Sequence, residues 1–405
     1  MREFDVAMGK MSKIDKGGNW KLFVLACWGM LSVGMVFGSI GPLLVPISDS
    51  FRLRIAQVGL PIVCNSAGFF SASILLAFLW KVHRVRIFLI APSLVAPLAL
   101  ASIGLVRTTL LLLAALFLVG ISQGLLHTSL DCFFSEISGE QRTRRLNWLH
   151  VFYGIGAIIG PLLVAIVLTF SDKWRLVYVL MGLLSLPLPI LFWRSSLYQG
   201  SISFSPTLTP AGQELTRPIV SPLFWLAALA MLLYVGIEVS FGSWTPVFLT
   251  RVRDLSIVSA SYAISVFWVS IVVGRFLFGT FFHKTNLSLS LVVGTLAAAL
   301  FSALTFMLKG HIPMILLIAL SGLSISWFYP SVIALGASTF PEHIGFMTGA
   351  LAASGTSGSM LFPWLIGPVS EALGLERSVF LVPLLCIALA GIFTCYALCL
   401  LRTKP

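Results

Sequence analysis

Charge is what this 405-residue chain has least of: only 10% of its residues are Asp, Glu, Lys or Arg, and just 14 are acidic. A chain that is 58% hydrophobic, with mean hydropathy +1.01, has too little polar surface to clothe a water-soluble globule, so its solvent is a lipid bilayer. Cysteine is scarce as well. The six cysteines, at 27, 64, 132, 386, 395 and 399, lie in or beside apolar runs, which excludes a disulfide framework and a zinc-type spacing. No set of nucleophile, base and metal ligands converges, since the ionisable residues within the apolar runs are few and scattered; this argues against an intramembrane enzyme. The run YGIGAIIGP has no strand before it and the wrong spacing for a dinucleotide site. No cofactor is expected beyond a transported ion, H+ or Na+.

What is present is a series of twelve apolar stretches, each long enough to cross about 30 Å of hydrocarbon as a helix of about 20 residues. They cover 22–48, 55–80, 87–106, 108–130, 146–171 and 176–193, then 222–250, 255–283, 285–308, 310–341, 343–370 and 378–401. The expected fold is an all-α integral membrane protein with twelve transmembrane helices in two six-helix bundles related by a pseudo-twofold axis. The bundles are 1–194 and 221–405, and the Ser-, Thr- and Pro-rich stretch 195–220 is a linker between them.

Sixteen Lys and Arg fall on the side that holds both termini and nine on the other, which places the termini in the cytoplasm. Arg275 alone sits within a span. The net charge of +12 then reflects topology and attraction to anionic lipid, and nucleic acid is not a partner. The polar first twenty residues precede a run too long for a signal-peptide core, read as a retained first helix. Gly34 with Gly38, Gly120 with Gly124, Gly156 with Gly160 and Gly345 with Gly349 are four-residue glycine pairs that let helix backbones approach. Gly160-Pro161 and Gly367-Pro368 end similar Gly-rich runs in the two halves, the mark of repeats that rock about a central site.

Three segments carry a family resemblance: LNWLHVFYGIGAIIGPLL at 146–163, YVGIEVSFGSWTPVFL at 234–249 and GLSISWFYPSVIAL at 322–335. The whole chain resembles a major facilitator superfamily transporter, and these segments resemble the fifth, seventh and tenth helices of its fucose permease, or sugar–proton symporter, branch. The resemblance implies a secondary transporter of a sugar-like solute, working as a monomer in a bacterial inner membrane. Departures are visible too. The loop after the second helix reads AFLWKVHRVR where the superfamily usually has an acid, His283-Lys284 stands near the corresponding acid after the eighth, and Asp131 falls where the family commonly has Asn.

Two carboxylates, Asp131 and Glu238, one per half, are the candidates for proton or cation coupling. An ionised side chain at mid-membrane costs roughly 2.5 to 3.5 kcal/mol on insertion scales, so it is retained there for a reason. His150 enters the fifth helix from the side on which Asp131 leaves the fourth, and a His beside an acid titrates in the physiological range; for Asp131 an ion pair with the nearby Arg142, Arg144 and Arg145 is the structural alternative. Asn65, Gln123, His127, Tyr153, Tyr234, Trp244, Trp268 and Trp327 are the expected solute contacts, because sugars need aromatic faces for C–H and donors and acceptors for hydroxyls. Arg275 is expected to be a gate element or brace. Proton-coupled symport is the leading reading; proton-driven efflux of an amphipathic compound and sodium-coupled sugar uptake are the alternatives. A channel and a transport-dead sensor are two further classes.

Overall fold

The computed structural model describes residues 19–79, 85–137, 142–195, 216–281, 286–340 and 343–403, and every regular element among them is helical. Hydrocarbon offers a backbone amide no water, so only elements that satisfy their own hydrogen bonds can cross it. The first half contains α1 (Asn19–Phe51), α2 (Leu60–Leu79), α3 (Val85–Ile103), α4 (Thr109–Ile137), α5 (Arg142–Phe170) and α6, made of Arg175–Ser185 and Pro187–Arg194. The second contains α7 (Pro222–Arg251), α8 (Ile257–Phe281), α9 (Leu287–Met307), α10, made of His311–Ile325 and Phe328–Thr339, α11 (Ile344–Leu373) and α12 (Leu381–Thr403). Eleven of these are long and apolar enough to cross a membrane. The twelfth, α11, has the length at 30 residues, but its central stretch AASGTSGS dilutes its hydropathy. Of the expected linker, 196–215 lies outside the described residues, and Thr216–Val220 is a short helix leading into α7.

Packing repeats between the halves. In the first, α1 lies along α5, α2 along α4, and α3 against α4 and α6; in the second, α7 lies along α11, α8 along α10, and α9 against α10 and α12. The halves meet through α5 with α8 and α2 with α11, which exchange under the same twofold relation, and through α1 with α7. Even the exits match, since Arg52 just after α1 and Asp254 just after α7 both take left-handed backbone, at φ 53° and 54°.

Small residues set how close these pairs come. A Cβ at Gly34 or Gly38 would fall on the backbone of Tyr153 or Ala157, and one at Gly156 or Gly160 would fall on that of Leu31 or Met35, so α1 and α5 meet glycine to backbone from both sides. Gly120 and Gly124 do the same against Asn65 and Phe69 of α2, and Gly358 of α11 against Leu232 of α7. In the fourth expected pair, Gly349 faces open space, and a close contact in the second half is made by Gly358.

At the end where α1 and α7 stop, the halves are locked together. Asp49 pairs with Arg251, Arg54 lies 3.7 Å from Glu371, and a Cβ at Gly59 would sit 2.9 Å from the Pro363 carbonyl. The packing predicts that Gly34→Ala is costly, by about 1–3 kcal/mol of overpacking strain, whereas Gly349→Ala leaves stability unchanged. Thermal unfolding of the purified variants checks the contrast; equal unfolding temperatures would contradict the packing account.

Candidate functional site

The second half supplies an ion pair. α7 is the most enclosed helix, with every residue from Gly236 to Leu249 buried. Glu238 lies inside that stretch, 7% exposed, where a carboxylate persists only with partners. Tyr234, one turn earlier, donates its hydroxyl to Glu238 Oε1 at 3.0 Å, and Arg275 Nη2 of α8 lies 3.6 Å from the same oxygen. The guanidinium is anchored from behind by Nε, which donates to the Ser326 carbonyl at 3.0 Å. That carbonyl is available for a local reason: Pro330 stands four residues on and has no N–H to give it, so α10 breaks at Ser326-Trp327 and leaves the oxygen unpaired within the helix. A proline in one helix thereby positions a cation on another.

The first half supplies an acid with two imidazoles. His127 Nδ1 lies 3.4 Å from Asp131 Oδ2, one turn apart on α4, and His150 Nε2 of α5 lies 3.5 Å from Asp131 Oδ1. The His150 contact is close enough for charge attraction but not aligned as a hydrogen bond, so Oδ1 has no donor. Of the alternative partners for Asp131, the side chains of Arg142 and Arg144 lie outside the described residues and that of Arg145 is half-buried.

An aromatic chain ties the two clusters across the seam. The Trp268 ring is 5.4 Å from Phe37 of α1, Phe37 is 5.7 Å from Tyr153 of α5, and Tyr153 is 5.6 Å from the His127 ring. Tyr153 and Tyr329 both lie within electrostatic reach of Glu238 and Arg275, and Tyr329 also within reach of Asp131. A cavity at the seam is lined by Phe37, Gly38, Asn65, Ser66, Ser243 and Trp268, and the buried Trp268 Nε1 has no partner among the described residues.

The structure thus brings Glu238, Arg275, Tyr234, Asp131, His127, His150, Tyr153, Trp268 and Asn65 to the seam or its immediate backing. Three expected solute contacts lie elsewhere. Trp244, 1% exposed, donates its indole N–H to the Pro363 carbonyl at 2.8 Å and pins α7 to α11 inside one half. Trp327 stacks on Phe278 at 4.7 Å and closes over Gly294 of α9. Gln123 accepts from Asn65 at 3.4 Å and faces a separate small cavity within the first half. Phe37 and Tyr329 belong to the site and were missed; nothing marks Phe37 among 31 phenylalanines, but Tyr329 stands beside Pro330 in the WFYP step.

The sequence profile of the Major Facilitator Superfamily matches residues 26–311. The chain is 25% identical over 346 residues to Protein TsgA of Salmonella newport (strain SL254), covering 84% of each. It is also 25% identical over 384 residues to a TsgA homolog of Yersinia pseudotuberculosis, covering 90% of this chain and 92% of that one. Among solved structures, a bacterial homolog of the human lysosomal transporter Spinster, in an inward-facing and occupied conformation, aligns with TM-score 0.80 at 15% identity over 94% of this chain and 97% of that one. A point mutant of the nucleoside transporter NupG aligns with TM-score 0.75 at 13% identity over 93% and 99%. The resemblance to the sugar–proton branch rests on the sequence motifs alone. With the profile spanning well over half of its length and the fold shared across nearly all of it, the chain belongs to the Major Facilitator Superfamily, as a multi-pass integral membrane transporter.

Proposed function

We propose that this is a secondary active transporter that moves a sugar or similar small polyhydroxylated solute by alternating access, with a proton as the coupling ion. The observation that carries the reading is Glu238: a carboxylate almost fully buried at the seam of two repeats, balanced by Arg275 of a neighbouring helix. A proton on Glu238 dissolves that pair and a proton lost restores it, so protonation changes the charge balance at the place where the halves must separate. The aromatic chain from Trp268 to His127 offers ring faces to a solute, while Asn65, Ser66 and Ser243 offer hydrogen bonds.

In this reading 1–194 and 221–405 rock against each other, in a bacterial inner membrane with both termini cytoplasmic. The end closed by Asp49–Arg251 and Arg54–Glu371 is then the outer one, so the conformation is inward-facing. Asp131 with His127 and His150, whose side chains are 29%, 18% and 44% exposed, is a second protonation site on the inner side of the cavity.

In proteoliposomes under an inward proton gradient, Glu238→Gln keeps the hydrogen-bond acceptor but not the titration. It is expected to lose gradient-driven accumulation at least about tenfold, in line with one removed coupling charge, while retaining solute exchange. Full accumulation in the variant would overturn the coupling role, and outward movement of an amphipathic compound would favour efflux. Asp131→Asn removes the acid that both histidines contact, so the pH profile of gradient-driven uptake is expected to differ from that of the wild type. A profile unchanged from wild type would assign the cluster to helix bracing alone.

A further inference from the structure

Resting on the transport reading above, we propose that the solute carries a carboxylate received by Arg275: a polyhydroxylated acid of the aldonate or uronate kind, not a neutral sugar. The pair has two faces, and they are not equally accessible. Glu238's side chain is 10% exposed, shut behind Tyr234 and the surrounding α7 residues, whereas Arg275's is 36% exposed. The cation is what the pair presents.

The direction it faces follows from helix register. Trp268 lines the seam cavity, Val272 one turn on touches the position of Gly154 on α5, and Arg275 continues the same stripe two turns from Trp268. A guanidinium partly exposed on that stripe looks between the halves and not into lipid. Its five N–H groups are not all used: Nε goes to Ser326, Nη2 leans toward Glu238 at a distance longer than a hydrogen bond, and Tyr234 is a further side-chain partner. A planar fork with free N–H groups fits a carboxylate in two parallel bonds, which a hydroxyl cannot match.

The seam cavity adds a donor on the same side. The buried Trp268 Nε1 is a donor without an acceptor among the described residues, while the unpaired acceptor, Asp131 Oδ1, belongs to the first half's cluster. A neutral sugar is served by donors and acceptors in equal measure; on the second-half side of the seam, Arg275 together with the spare Trp268 N–H suits an acceptor-rich group. Among the described residues Arg275 is also the one Lys or Arg away from the helix ends.

The exchange is then explicit. Glu238 takes up the proton, Arg275 loses its internal counter-ion, and the solute carboxylate replaces it; one proton and one monoanion together cross without net charge. The groups bearing on Glu238 are Tyr234 on its own helix, Arg275 of α8 and, at longer range, Tyr153 of α5 and Tyr329 of α10, so among the described residues Arg275 is the cation that balances Glu238, with His127 and His150 on the facing cluster.

Calorimetric titration of the purified full chain with gluconate, glucuronate and glucose tests this, together with uptake of the same three into proteoliposomes. Gluconate or glucuronate is expected to bind at least tenfold more tightly than glucose. Arg275→Lys, which keeps the charge, is expected to weaken the acid at least tenfold with little change for glucose, and Glu238→Gln to tighten acid binding severalfold by removing the internal competitor. Glucose binding as well as either acid, with Arg275→Lys indifferent to the carboxylate, would overturn the proposal and leave sugar transport standing. Neither binding nor uptake of any of the three would overturn both.

Discussion

A charge buried in a membrane protein must be answered by another, and the Glu238–Arg275 pair is where that constraint shapes this molecule. Glu238 sits on the most enclosed helix, so its partner must reach it from a neighbour. Arg275 can do so only because α10 yields a carbonyl to hold its Nε, and α10 yields it because Pro330 withholds the N–H that would have occupied Ser326. A helix break, a buried acid and a partly exposed cation are thus one arrangement. Removing one member of a buried pair generally costs about 3–5 kcal/mol, because the survivor is left uncompensated, so the pair contributes to holding α7 and α8 together.

Around that pair the helices are held by contact of a different kind. Lipid is as apolar as leucine, so close backbone approach decides which helices adhere. Glycines on α1 and α5, and on α4 against α2, draw the first half tight, and Gly358 does so for α7 and α11. The halves themselves are joined mainly by α5 with α8, α2 with α11 and α1 with α7. Two of the site's elements, α5 and α8, therefore belong to the seam between the halves, and Tyr153 and Arg275 ride on them.

Much of this was readable in the sequence, and the rest was hidden for identifiable reasons. The spans were plain because twenty-residue uncharged runs have one use in a bilayer. The meeting of His150 with Asp131 was readable because both lie near the same end of adjacent antiparallel helices, where sequence spacing maps onto height. The partners of Arg275, expected only as a gate element or brace, were hidden because one lies on a different helix and its anchor depends on a proline 55 residues away, and neither relation leaves a local pattern. Trp244 misled through its closeness to Glu238: six residues on, it stands on another face of α7, turned to Pro363. The 345/349 glycine pair has the spacing of a packing motif but at Gly349 no neighbour, since spacing reports which face a residue occupies and not what faces it.

The central claim is that Glu238 and Arg275 stabilise each other across α7 and α8, and a double-mutant cycle on thermal unfolding tests it most directly. Glu238→Gln and Arg275→Gln are each expected to lower stability, with the double variant less destabilised than the sum of the singles by about 1 kcal/mol or more, the range for groups in contact. Strict additivity would show that the two side chains do not interact in the folded protein, and the account built on their pairing would fail.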